Sequence, residues 1–126
     1  MPFKPSTIQE FEGMLKKKRV VLALYYREGE RHSTYIRELA ESLKLNIEPS
    51  IPILLVDVSR LEEVRDKYGV TTVPRLQLFL DGNVVWEQLG VLGTISADKE
   101  AIRFGIRESL RKQGYTLKDL GIRVYF

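Results

Sequence analysis

The stretch VRDKYGVTTVPRLQLFLDGNVVWEQLG, residues 64–90, decides how the chain folds. A polar helical segment ends at Tyr68-Gly69. Val70-Thr71-Thr72-Val73 then runs into Pro74, and Leu76-Gln77-Leu78-Phe79-Leu80 reads as a strand. Asp81-Gly82-Asn83 is a tight turn, and Val84-Val85-Trp86 begins the return strand. Asp-Gly supplies left-handed dihedrals at little steric cost, so apolar runs on either side of it predict a β-hairpin. Pro74 has no N–H, which places it at the head of the strand or in a sharp cis turn. An X-Pro bond favours trans by about 0.5–1 kcal/mol, so residue type alone predicts trans.

Working upstream, Val20-Val21-Leu22-Ala23-Leu24-Tyr25-Tyr26 is a near-continuous apolar run bounded by charge. It predicts a central strand covered on both faces. Before it, residues 7–18 predict a helix with Ile8, Phe11, Met14 and Leu15 on one face. Thr7 and Glu10 have the spacing of a capping box, and Lys16-Lys17-Lys18-Arg19 complements the negative end of the helix dipole. Arg27 to His32 is a loop. Ser33 or Thr34 is the expected cap of a second helix, whose buried stripe is Tyr35, Ile36, Leu39, Ala40 and Leu43. Ile51 to Val58 predicts a second buried strand, and Ser59-x-x-Glu62 a capping box on a short helix. Downstream of the hairpin, Gly90 and Gly93 loosen a loop. Ser96 is the expected cap of a last long helix carrying Ile102, Ile106 and Leu110.

The chain has 126 residues, 44% hydrophobic and 29% charged, which fits one globular domain with an ordinary core. No apolar run reaches spanning length, and the N-terminus lacks a signal peptide's apolar block, so a cytoplasmic protein with no membrane association is expected. There is no cysteine and a single histidine. Thiol nucleophiles, disulfides, thiolate metal sites and His-rich metal sites are therefore excluded, and no metal or cofactor is expected. A formal charge of +3 does not call for nucleic acid, and no aromatic or glycine-rich binding stretch accompanies the lysine run.

The order helix–strand–helix–strand–helix–strand–strand–helix buries every apolar stripe if a mixed four-stranded sheet carries helices on both faces. The same segments resemble thioredoxin. The resemblance rests on Lys67-Tyr68-Gly69-Val70, Thr72-Val73-Pro74, Leu78-Phe79 followed by Gly82, and Gly90, and it covers roughly residues 20–110. It implies the thioredoxin-like α/β fold, a cis Val73–Pro74 bond, and a groove with that loop as one wall. It also places the family's Cys-x-x-Cys at Gly29-Glu30-Arg31-His32, and the family's buried acid at Ala23. Both thiols and the acid are absent together. In the family, thiolate chemistry needs the cysteines themselves, so disulfide exchange is excluded in this chain.

No catalytic residue is assigned. The expected role is a redox-inactive, partner-binding one, as adaptor, assembly factor or chaperone-like subunit. The expected surface comprises Tyr26, Arg27, Val73, Pro74, Arg75 at the rim, and Val91, beside the former motif loop Gly29 to His32. The alternative is an enzyme binding a glutathione-like or anionic ligand, with His32 as base. Residues 1–113 are read as the domain. Residues 114–126 are read as an extension that packs on the domain or on a second chain, the latter giving a homodimer, with Ile122 to Phe126 favouring extended structure.

Overall fold

Val20–Tyr26 forms β1, and all of its residues are buried. An apolar strand with no polar face can only sit inside a sheet covered on both sides. In this computed structural model, which describes residues 2–47 and 49–124, β1 does so. It pairs in parallel with β2 (Ile53–Asp57) and antiparallel with β3 (Arg75–Leu80). β4 (Asn83–Leu89) pairs antiparallel with β3 and completes the four-stranded order β2-β1-β3-β4.

Side chains alternate across β1, and each set meets a different pair of helices. Val21, Ala23 and Tyr25 pack with Phe11 and Leu15 of α1 (Ile8–Lys17) and Val64 of α3 (Glu62–Lys67). Leu22, Leu24 and Tyr26 pack with Ile36, Leu39 and Leu43 of α2 (His32–Ile47), and with Ile102, Ile106 and Leu110 of α4 (Ile95–Lys112). The helix α2 is the crossover that the parallel β1–β2 pair requires. The N-terminal segment covers part of the β2 edge: Leu55 N–H donates to the Phe3 carbonyl at 2.9 Å.

Several local signals resolve differently from the sequence reading. The Thr7 hydroxyl caps α1 as expected, but Glu10 reaches the N–H of Ser6 rather than that of the cap. Thr94, not Ser96, caps α4, because the helix begins at Ile95. Ser59 does not cap α3; its hydroxyl donates to Asp57 across the turn after β2. Ser33 lies inside α2 and donates to the carbonyl of Glu30, so neither it nor Thr34 is a cap. The second strand is shorter than expected, with Pro52 just outside it and its carbonyl accepting from Leu22 N–H.

The C-terminal segment runs over the α2/α4 side of the molecule. Tyr115, Leu117, Leu120 and Val124 pack against that core and Ile122 is buried in it. The Tyr115 hydroxyl accepts from Arg19, which also makes a two-pronged pair with Asp81, both bonds at 3.0 Å. One 3-10 turn covers Lys118–Leu120. Ile122 to Val124 are not in a strand, and Tyr125 and Phe126 lie outside the described residues.

A one-residue bulge in β4 sets Phe79 opposite Val84 and Leu78 opposite Trp86. That turns Trp86 toward α4, where Gly105 leaves room for it. A Cβ on Gly105 would lie 2.3 Å from Trp86 Cε2. Gly105→Ala adds about 1 kcal/mol of helix propensity but forces a rigid indole to move, an overpacking cost of about 1–3 kcal/mol. The expected outcome is a net loss of stability in urea unfolding, with a shifted emission maximum of Trp86, the single tryptophan of the chain.

Candidate functional site

Residues 27–31 join the end of β1 to α2. Gly29 takes a positive φ of 86°, which lets the loop fold back. Glu30 N–H donates to the Arg27 carbonyl at 3.2 Å, and Arg27 N–H donates to His32 Nε2 at 3.2 Å. The imidazole lone pair is therefore committed to bracing the loop. The Glu28 carboxylate takes two bonds from Arg37, at 2.9 and 2.8 Å. Its N–H reaches Asp57 at 3.4 Å. Burial opposes ionisation of Asp57, but the Ser59 hydroxyl, the N–H groups of Ser59 and Glu28, and the Arg60 charge outweigh it and lower its pKa. A charged Asp57 thus ties the turn after β2 to the loop after β1.

The second segment is the loop before β3. The Val73–Pro74 peptide bond is cis. Arg75 follows it and is only 6% exposed. Its Nη2 donates to the hydroxyls of Thr71 and Thr72 at 3.0 and 3.1 Å, and its Nη1 to the Gly69 carbonyl at 3.1 Å and to Glu87 at 3.3 Å. Nε reaches the Thr72 carbonyl at 3.3 Å. Arg75 is therefore not a charge at the groove's rim. Strand alternation turns it under the loop, where it holds residues 69–72 from inside. The network continues inward: Gln77 donates to Glu87 at 2.6 Å and to the Tyr68 carbonyl at 3.0 Å. Tyr25 donates to Gln77 at 2.7 Å, and burial pushes the Tyr25 hydroxyl's pKa well up.

The third segment follows β4. Gly90 N–H donates to the Pro74 carbonyl at 2.9 Å, which sets residues 89–92 beside the cis-proline. Asp98, fully buried in the first turn of α4, fixes the rest. Its carboxylate accepts from Gln88 at 2.9 Å, Leu92 N–H at 2.9 Å, Gly93 N–H at 3.3 Å and the Tyr35 hydroxyl. Held in this way, Leu89 and Leu92 remain 67% and 63% exposed, while Val91 packs inward.

The sequence-derived residues are thus only partly brought together. Arg27 lines a depression of about 410 Å³ with Arg65, Asp66, Gly69, Val70 and Thr71. Val73 and Pro74 adjoin it in the chain, and Gly90-Val91 is tied to Pro74. Tyr26 does not face the groove. It is fully buried on the α2 side, and its hydroxyl has no partner among the described residues. Glu30 and Arg31 are exposed on the loop, and Ala23 is buried on the α1 side. A larger cavity, about 500 Å³, lies at the opposite end of β1 between Lys17-Lys18-Arg19 and the C-terminal segment. Among the described residues no group of acids and histidine is placed to hold a metal, and no helix is long and apolar enough to cross a membrane.

Sequence reasoning missed Asp98, Gln88, Tyr35, Glu87 and Arg65. Gln77 was the available signal, a polar residue at the centre of an apolar strand, which needs buried partners.

Among solved structures the chain is similar to a mutant thioredoxin from Halobacterium salinarum, at 27% identity and TM-score 0.70, covering 82% of this chain and 89% of that one. A thioredoxin from Plasmodium falciparum in its oxidised form aligns at 21% identity and TM-score 0.73, covering 83% and 99%. That from Fasciola hepatica aligns at 24% identity and TM-score 0.69, covering 82% and 98%. No protein-family model and no curated protein matches the chain. The fold is thioredoxin-like, and the chain carries it without cysteine, so thiol–disulfide exchange through Cys-x-x-Cys is excluded.

Removing a buried, multiply bonded charge strands its partners, so Arg75→Ala is expected to cost about 3–5 kcal/mol in denaturant unfolding. Arg31→Ala, at an exposed loop position, should stay within about 0.5 kcal/mol. The Asp57 carboxyl has a folded pKa below its unfolded one. Its stabilisation is complete above the unfolded value, near 4, and is lost as pH falls through the folded value. Thermal midpoints from about pH 5 to about pH 2 should therefore fall less steeply in Asp57→Asn than in the wild type.

Proposed function

We propose that this cysteine-free thioredoxin-like protein binds a protein partner in an extended conformation across the cis-proline loop, as an adaptor, assembly or chaperone-like subunit. One observation carries the reading: the walls of the groove are held by dedicated buried polar networks although the thiols they would serve are gone. Burying a guanidinium or a carboxylate is costly unless every group is bonded. Arg75 and Asp98 are both bonded in this way, and each directs its bonds to a loop, residues 69–72 and 92–93 respectively.

The loops so held offer features suited to a strand-like ligand. Among the described residues no backbone hydrogen bond engages the N–H or carbonyl of Val73. An extended peptide is recognised through main-chain bonds of this kind, with side-chain pockets adding specificity. Leu89 and Leu92 flank Gly90, beside Pro74, and supply exposed apolar surface there. The reading as an enzyme with His32 as base gains less support, because Nε2 already accepts the Arg27 N–H. In this proposal residues 1–113 carry the groove in a cytoplasmic protein, and the extension of 114–126 braces the far pole or meets a second copy.

A photo-crosslinking amino acid at position 89 or 92 should give, in living cells, a discrete adduct with the same protein. The same probe at position 45, on the exposed Leu45 of α2, should not. Adducts that are absent at 89 and 92, or alike at all three positions, would remove the groove from consideration as a partner surface.

A further inference from the structure

We infer that the segment bound in this groove carries an acidic side chain, an Asp or Glu, that docks between Arg27 and Arg65. The inference rests on the partner-binding reading above and adds the chemistry of the partner.

Arg27 and Arg65 come from different elements, the loop after β1 and the helix α3, and line one depression beside the cis-proline loop. Their internal ion pairs are weak. Arg27 lies 4.0 Å from Glu30, which is about half exposed. Arg65 pairs at 3.1 Å with its sequence neighbour Asp66, whose side chain is 72% exposed. Exposed pairs of this kind contribute little, so a better-placed carboxylate can replace them. Both contacts use Nε, and among the described residues neither guanidinium has a hydrogen bond from its terminal nitrogens. Two other arginines near the groove differ. Arg37 is held by both oxygens of Glu28, and Arg75 is buried under the loop.

The backbone around the two arginines is already fixed. Arg27 N–H is held by His32, and the Arg65 carbonyl accepts from Val70 N–H at 2.9 Å. Val70, nearly fully buried, is apolar lining, and Thr71 adds a hydroxyl whose oxygen is used by Arg75 but whose proton remains available. Two guanidinium forks and a hydroxyl suit a carboxylate, which can take paired N–H bonds from a planar guanidinium. A partner lysine or arginine would instead have to draw Glu30 and Asp66 away from the two arginines, and a neutral amide would leave those weak internal pairs in place.

A randomised dodecapeptide phage library selected on the intact protein tests this. Selected peptides should be enriched in Asp and Glu, and a synthetic acidic peptide should shift the amide resonances of Arg27, Thr71 and Val73. The Arg27→Gln/Arg65→Gln double variant should bind that peptide about tenfold more weakly. Raising the salt should narrow the difference. Selected peptides that depend on Leu92 (weakened by Leu92→Ser) but carry no acidic excess would overturn the inference and leave the groove reading standing. An acidic excess that persists on the double variant would overturn it too. Failure to select any peptide would count against the inference and the groove reading together.

Discussion

A guanidinium buried beneath the loop before β3 cannot be left without partners, and the geometry of the site depends on that constraint. Arg75 has five bonds, to Gly69, Thr71, both polar oxygens of Thr72, and Glu87. An isolated buried charge is far costlier than the bonds that compensate it, so the loop closes on Arg75 or the strand does not form as seen. The backbone of residues 69–72 is thereby set against the end of β3, and Val73-Pro74 is carried in a fixed place. Glu87 couples the arrangement to β4 and Gln77 to the core. The candidate site is thus the outer face of an internal polar network.

Asp98 plays the corresponding part on the other side of the sheet. Its carboxylate gathers donors from α2, β4 and the loop after β4, and so fixes Leu92 and Gly93 relative to the first turn of α4. Between them, Arg75 and Asp98 hold two of the three segments around the groove. The third is held by smaller means, the His32 lone pair and the Asp57 carboxylate. None of these groups is a thiol or needs one. The absence of cysteine therefore excludes the exchange chemistry without touching the groups that hold the scaffold.

Much of the fold was legible because its signals are short-range. The run from Val20 to Tyr26 has no polar face, and the Asp81-Gly82 turn between apolar runs admits little besides a hairpin. Thr7 was readable as a cap because its acceptor sits beside the donor that it serves. The misread caps share a cause. Ser59 and Ser33 each had a competing local acceptor, Asp57 and the Glu30 carbonyl, which residue spacing does not rank. Arg75 and Tyr26 were misplaced because charge and aromaticity suggest a rim, whereas strand alternation sends one under the loop and the other into the α2 side of the core.

The order of elements, the mixed sheet with both faces covered, and the exclusion of thiol and His-rich metal chemistry are legible along the chain, since they follow from periodicity and from residues that are absent. Tertiary structure decided which polar groups meet. Tyr25 and Gln77, and Tyr35 and Asp98, are far apart in the chain, and nothing local encodes their pairing. Burial makes such pairing obligatory, but only the packed sheet and helices specify which partner is within a bond's length.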